Sequence, residues 1–474
     1  MAEFGSLDGD ATTVSPEALA AFRAEFHGPL LEPGDPGYDE ARQIWNAMID
    51  RRPALIARCT GTADVVAAIR FAREHRLVLS VRGGGHNIAG LAVADGGLMI
   101  DLSLMKGVWV DPENRIARAQ AGCTLGELDR ETQVHGLAAV LGFISETGIA
   151  GLTVGGGFGY LTRNRGWTCD TLVSLEVVTA SGEVLHASET ENTELFWCLR
   201  GGGGNFGIVT SFEYKLFPVG PEVIGGGVVW RAEDAREVLA LYREFTASAP
   251  RELTCVAILR VAPPAPWLPK EIHGKPIVAV FACYCGPADE GEEVVAPLKA
   301  FGKPVADILV RRPFVKMQSL LDATQPKGRR YYWKSEYLPG LDPALLDRVV
   351  EHAGRIPSPF GAVILFQIGG TLNELPAEHS PAGNRNAAYV LNITASWENP
   401  DDDLVNVTWA RDAWEAMRPF STGGAYLNFM TEDEGTDRTR AAYGDTMYER
   451  LAALKKIYDP DNLFRHTKGF TSDG

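Results

Sequence analysis

The chain has 474 residues, 45% of them hydrophobic and 22% charged, an ordinary globular composition with length for two domains or one large one with insertions. A formal charge of −16 offers no clustered Lys and Arg to nucleic-acid phosphates, and no run of about 18 uncharged apolar residues reads as a bilayer span. Seven scattered cysteines suit a reducing cytoplasm rather than a disulfide framework, and the isolated Cys283-x-Cys285 pair lacks the second cluster that a metal site needs, so no metal is expected.

Residues 1–6 have neither the basic nor the apolar stretch of a signal peptide and are open to being a cloning remnant. Ser15 as N-cap and Pro16 at the first helical position open a helix, Pro33-Gly34-Asp35-Pro36-Gly37 breaks the pattern, and residues 1–54 read as an N-terminal helical wrap. Residues 54–58 read as a strand, residues 62–72 as a helix capped by Thr62, and residues 78–81 as a second strand, which together make a βαβ unit. Short strands follow at 97–102, 108–110 and 116–120, then a helix at 124–134. Residues 171–179 and 184–187 pair across a turn in which Gly182 takes positive φ. At Pro218-Val219-Gly220-Pro221 the texture changes to long strands such as 277–285 and 389–397, separated by amphipathic helices near 235–246 and 344–353. A domain boundary is placed there, and the second unit reads as an antiparallel sheet with helices on one face.

Three glycine-rich segments carry the chemistry: Arg82-Gly83-Gly84-Gly85-His86-Asn87, Gly155-Gly156-Gly157-Phe158-Gly159, and Arg200-Gly201-Gly202-Gly203-Gly204-Asn205-Phe206-Gly207. Without a Cβ, backbone N–H groups can approach a phosphate or a flat ring closely, so three such runs point to a large phosphate-bearing cofactor. Gly155-Gly156-Gly157-Phe158-Gly159 lacks the G-x-G-x-x-G spacing of a nicotinamide site, the residues after Gly85 do not run into the helix such a site needs, and none of the three segments runs into the Gly-Lys-Ser/Thr of a P-loop. His86 follows three glycines after a strand, at a loop apex where an imidazole nitrogen can reach a bound ring.

With these motifs in order, the sequence resembles the vanillyl-alcohol oxidase superfamily of FAD-linked oxidases, in its berberine-bridge-enzyme-like branch, over most of the chain. The marks are Val81-Arg82-Gly83-Gly84-Gly85-His86; Thr147-Gly148-Ile149-Ala150-Gly151 with Gly155-Gly156-Gly157; residues 199–206 with Gly207-Ile208-Val209; Tyr426-Leu427-Asn428-Phe429; and Tyr458-Asp459-Pro460-Asp461-Asn462. The resemblance implies an α+β fold: a split FAD-binding domain (PCMH type) from residues 55–219 and 421–474, roofed by a substrate-binding domain at 220–420. It implies FAD contacts from Arg82, Gly83, Gly84, Gly85, His86, Asn87, Thr147, Gly148, Gly151, Gly155, Gly156, Gly157, Gly207, Ile208, Val209, Tyr426 and Asn428. It also implies a covalent bond to the flavin through His86.

The departures matter as much. The position of a second, cysteine anchor is Ile144, so any bond runs through His86 alone, as in histidine-only bacterial relatives. The tyrosine, lysine and glutamine or glutamate of the plant alcohol oxidisers fall at Phe158, Val390 and Asn392, none a strong base. Tyr426 matches a tyrosine base of oligosaccharide-oxidising relatives and is the best remaining proton acceptor, with a flavin-packing phenol as the alternative. Asn392 and Gln367, on neighbouring strands, are expected to orient substrate, and Tyr331-Tyr332-Trp333-Lys334 to offer aromatics or Lys334 to the pocket, or else to pack the core. Thr147 matches a position that gates oxygen and is small. The expected activity is an oxidase passing hydride from a small alcohol or amine to flavin, with oxygen as acceptor and peroxide as product. A secondary-metabolite tailoring oxidase or oxygenase, and a flavin-carrying binding protein with little turnover, stand as alternatives.

Overall fold

In the computed structural model, which describes residues 2–470, the apolar spacing of Thr62–Glu74 buries Val65, Ala68, Ile69 and Ala72 along one helical face. That face covers a four-stranded mixed sheet ordered Leu30–Leu31, Leu55–Arg58, Leu98–Asp101, Leu79–Arg82. Leu98–Asp101 lies between the two strands of the βαβ unit and is parallel to both. The helix begins one residue earlier than expected. Gly61 is its N-cap, the Asp64 carboxylate reaches back to the Thr60 N–H at 2.8 Å, and the Thr62 hydroxyl instead donates to Glu176 at 2.7 Å.

A five-stranded antiparallel sheet stands beside this one, ordered Val184–Ser188, Leu172–Val178, Ile208–Lys215, Ile116–Gln120, Val108–Asp111. Gly182 turns the first hairpin at φ 81°, and Thr124 with Glu127 forms the capping box of the helix Leu125–Gln133. The N-terminal stretch is not purely helical. Ala2–Gly5 and Ala11–Val14 form an antiparallel hairpin that buries Phe4 to 1% exposure against Phe71, so that Phe4 and Val14 join the core. Ser15 and Pro16 open the helix Pro16–Glu25 as expected.

From Glu222 onward an eight-stranded antiparallel sheet takes over, ordered Ala306–Asp307, Glu222–Arg231, Pro276–Tyr284, Leu253–Val261, Ala362–Gln367, Tyr389–Trp397, Arg330–Leu338, with Val310–Pro313 also paired to Glu222–Arg231. Strand alternation splits its residues between two layers. Ala257, Leu259, Val363, Leu365, Leu391 and Ile393 pack under the helices Ala235–Ala247, Pro343–Ala353 and Asp403–Met417. Val256, Ile258, Ala362, Phe366 and Val390 face the glycine-rich half and share its core. Helices and antiparallel sheets thus form the expected α+β fold. Arg163 rivets the halves together, its buried guanidinium donating to the carbonyls of Leu253 at 2.7 Å, Ile368 at 3.1 Å and Ala249 at 2.9 Å.

Candidate active site

Between the glycine-rich half and the large sheet lies a cavity of about 340 Å³, within the range of small-molecule sites. Its floor comes from the loop after Leu79–Arg82, from the segment around the short helix Ile149–Val154, and from the loop that leads into Ile208–Lys215. Its roof is the helix-free face of the large sheet, and Tyr426, Leu427, Asn428 and Phe429 close one wall.

Glycine is structurally required at several of these points. The backbones of Gly84 and Gly148 cross so closely that a Cβ on either would stand 2.4 or 2.3 Å from the other's nitrogen. A Cβ on Gly155 would meet Asn428 Oδ1 at 2.1 Å, and Gly207 takes φ 153° against Val177. Gly151 and Gly204, by contrast, border the cavity with no protein atom within 4 Å of a built Cβ. The loops therefore press against one another on one side and leave a bare cradle on the other, where a flat ring or a phosphate fits.

His86 stands at the edge of this cradle. Its imidazole stacks on Trp45 at 4.3 Å between centroids, and Trp45 in turn stacks on Tyr331 at 3.7 Å while its indole N–H donates to the Gln325 carbonyl at 2.9 Å. Burial pushes the imidazole pKa down to about 4, so the ring is neutral at physiological pH, and Nε2 has no hydrogen-bond partner. A neutral, orphaned imidazole on a cavity wall suits attachment to an organic cofactor. These features, with the bare cradle, fit FAD.

Of the residues singled out in the sequence, Gly83, Gly84, Gly85, His86, Asn87, Thr147, Gly148, Gly151, Gly155, Gly207, Ile208, Val209, Asn392, Tyr426 and Asn428 line the cavity. Arg82, Gly156, Gly157 and Gln367 do not, and each has another task. The Arg82 guanidinium donates to the Ala41 carbonyl and lies against Gly85, bracing the loop from behind. Gly156 and Gly157 take φ of 114° and 82° in the turn behind Tyr426, and the Gly157 N–H donates to the tyrosine hydroxyl at 3.0 Å.

The expectation for Gln367 is corrected by strand parity. Asn392 pairs with Ile364, whereas Gln367 pairs with Tyr389, so the two amides project from opposite faces of the sheet. Gln367 lies in the helix layer, accepting from the Cys255 N–H at 3.2 Å and donating to the Thr246 carbonyl at 2.9 Å. Lys334 is likewise turned away from the cavity, toward Thr431 and Asp433 at 3.2 Å each, whereas Trp333 on the other parity lines it.

The Tyr426 hydroxyl accepts from the Gly157 N–H and, at 2.9 Å, from Asn428 Nδ2. Burial pushes its pKa well above the usual phenol range, although both hydrogen bonds oppose the shift. The phenol is therefore protonated at neutral pH and is oriented by fixed donors. Asn392 Oδ1, Thr394 Oγ1, Trp333 Nε1 and Gln325 Oε1 are buried without partners, and all four residues line the cavity. Thr394, Gln325 and Arg260, which joins them there, escaped the sequence reading. The usable signal for Arg260 is a single arginine inside the apolar run Leu253–Val261, and the strand pairing then sets the face it occupies.

A glycine-built cradle facing an antiparallel sheet is the architecture of an FAD-dependent oxidoreductase, and comparison with known proteins agrees. Residues 53–188 match the family described as FAD binding domain, and residues 425–470 match the one described as berberine and berberine like. An FAD-linked oxidoreductase of Dictyostelium discoideum is 31% identical over 451 residues, covering 94% of this chain and 95% of its own. The (R)-6-hydroxynicotine oxidase of Paenarthrobacter nicotinovorans is 29% identical over 456 residues, covering 95% and 98%. The crystal structure of 6-hydroxy-D-nicotine oxidase from Arthrobacter nicotinovorans superposes with a TM-score of 0.84 at 28% identity, covering 94% of this chain and 98% of that one. The chain belongs to the berberine-bridge-enzyme-like branch of the vanillyl-alcohol oxidase family of FAD-linked oxidoreductases.

Proposed function

We propose that the protein is an oxidase that binds FAD covalently through His86 alone and oxidises a small organic alcohol or amine. Bound FAD supplies a two-electron acceptor for substrate hydride, which oxygen regenerates with release of hydrogen peroxide. The observation that carries the reading is the neutral, partnerless imidazole of His86 on the wall of a glycine-built cradle, with Ile144 lining the same cavity and offering no second nucleophile.

The roles of the remaining residues follow from the geometry. Residues 147–151 and 203–209 present backbone N–H groups and bare Cα positions to the cofactor. Asn392 and Thr394 offer unpartnered polar atoms to orient substrate from the roof. Tyr426 keeps its proton and fixes the wall beside the reacting centre. Among the described residues, no Asp or Glu lines the cavity. This favours substrates that give up hydride without a strong protein base, such as a neutral amine.

A second reading, a tailoring oxidase acting on an apolar ring system, is favoured by one further observation. Phe143, Phe158, Phe360, Phe366, Ile258 and Ile364 line the cavity, a surface better suited to an apolar ring than to a sugar. Acid precipitation of the purified protein, followed by peroxide assays over cyclic amines, aromatic alcohols, sugars and polyketides, separates these readings. Flavin retained in the acid pellet and peroxide from one class are expected. Complete release of flavin by acid, or a His86→Ala protein that keeps it bound, would sink the covalent assignment.

A further inference from the structure

The cavity-facing side chains of the large sheet form rows across its strands. In one row Trp333, Thr394, Ala362 and Arg260 are successive neighbours in register, and in the next Asn392, Ile364 and Ile258 are. All seven residues line the cavity.

Arg260 is the outlier among them. Its Nε donates to the Val261 carbonyl at 3.1 Å, and among the described residues the guanidinium has no carboxylate partner. The charged group that acts on it is Arg329, of the same sign. Arg329 has its own surroundings, lying 3.8 Å over the Phe360 ring with Glu398 at 3.7 Å. Burial and the like charge hold the Arg260 pKa down to about 10, which still leaves it cationic at neutral pH. A guanidinium taken out of water without a counter-charge is unfavourable, and its planar fork is the complement of a carboxylate. The cavity that Arg260 lines gives the missing counter-charge a place to stand.

The space next to it has a definite shape. Arg260 and Thr394 are two strands apart, roughly 10 Å at the usual strand spacing, and only the small Ala362 separates them in the row. Ile258, Ile364 and Phe366 supply apolar walls.

We propose that Arg260 determines substrate specificity by pairing with a carboxylate, and that the alcohol or amine substrate is an apolar, ring-sized molecule bearing one carboxylate besides the group that is oxidised. In this arrangement the carboxylate lies on Arg260, the ring passes over Ala362, and its far edge meets Thr394 and Asn392. The inference rests on the flavoenzyme reading above and adds the class of substrate to it.

The test uses purified holoenzyme and the matched pair 2-naphthoate and 2-naphthamide. Binding is followed by the flavin difference spectrum and, independently, by calorimetry. The acid is expected to bind at least about tenfold more tightly than the amide, as for a desolvated charge pair. Arg260→Leu should abolish that preference with the amide little changed, and Arg260→Lys should keep part of it. Flavin content and melting temperature matching the wild type establish that each variant is folded, and the lysine variant carries the test if the leucine variant is not. Equal binding of acid and amide, absence of binding by both, or an undiminished preference in Arg260→Leu overturns the assignment. A colourless protein overturns the flavoenzyme reading instead, and calorimetry then still decides the role of Arg260.

Discussion

If FAD bonds to His86 as proposed, the pH dependence of that attachment follows from the burial of the imidazole and has a size that can be worked out. An imidazole attacks only as the neutral base. With its pKa pushed down to about 4, about nine-tenths of the His86 rings are neutral at pH 5, against about 3% for a histidine at the ordinary value near 6.5. Apoprotein made under riboflavin limitation, mixed with FAD and sampled by acid precipitation, should therefore gain covalent flavin at nearly the same rate from pH 8 down to pH 5. The rate should fall about tenfold per pH unit only below about pH 4, in the range where the folded state survives. The sign follows from the folded-state value lying below the unfolded one. Neutral His86 favours the fold above the ordinary histidine range, and that contribution is lost as pH falls toward 4. A rate that drops through pH 6.5 would show that His86 is solvated in the apoprotein and would refute the reasoning. So would an unchanged yield in His86→Ala.

Three further outcomes are expected. Gln367→Leu removes an amide that bridges the Cys255 N–H and the Thr246 carbonyl; it should cost about 1–3 kcal/mol in urea unfolding with KM unchanged, since unpaired buried groups carry that penalty, and a raised KM at wild-type stability would return Gln367 to the substrate. Tyr426→Phe leaves the Gly157 N–H without its side-chain acceptor and removes one of the two acceptors of Asn428 Nδ2, the other being the Leu152 carbonyl; stability should again fall by about 1–3 kcal/mol, while kcat falls by less than about the hundredfold at which general-base loss begins, and a larger loss would identify Tyr426 as the proton acceptor. Thr147 lines the cavity with a small side chain; Thr147→Leu should slow reoxidation by oxygen in stopped-flow while leaving anaerobic flavin reduction nearly unchanged, and equal effects on both half-reactions would remove it from the oxygen path.

Much of the fold was readable because local signals and tertiary structure agree. Ser15-Pro16, the capping pair Thr124 and Glu127, and Gly182 in its hairpin are satisfied within a few residues of the chain. The glycine loops were legible as a group, since so many bare Cα positions have few other uses. What escaped depends on register and on distant contacts. Gln367 and Asn392 are both amides on neighbouring strands, and only the pairing of Ile364 with Asn392 reveals that they face opposite ways. Trp45 gave no sign that it would lie on His86, because its position is fixed by Gln325 and Tyr331, far along the chain. Residues 2–5 carried too little pattern to show that Phe4 would complete an aromatic cluster with Phe71. Arg260 was overlooked because one charge in an apolar strand does not announce which face it occupies.

The two-sided character of the large sheet has a consequence for how such a protein can change. Side chains of one parity, among them Leu259, Val363, Leu365, Leu391 and Ile393, hold the helices in place. Those of the other parity, Ile258, Arg260, Ala362, Ile364, Asn392 and Thr394, look into the cavity. Stability and selectivity are thus written in alternate letters of the same strands. Evolution, or an engineer, can rewrite one set while leaving the other intact, and Ala362 is the natural first letter to alter, since any larger residue there would divide the chamber between its cationic and amide ends.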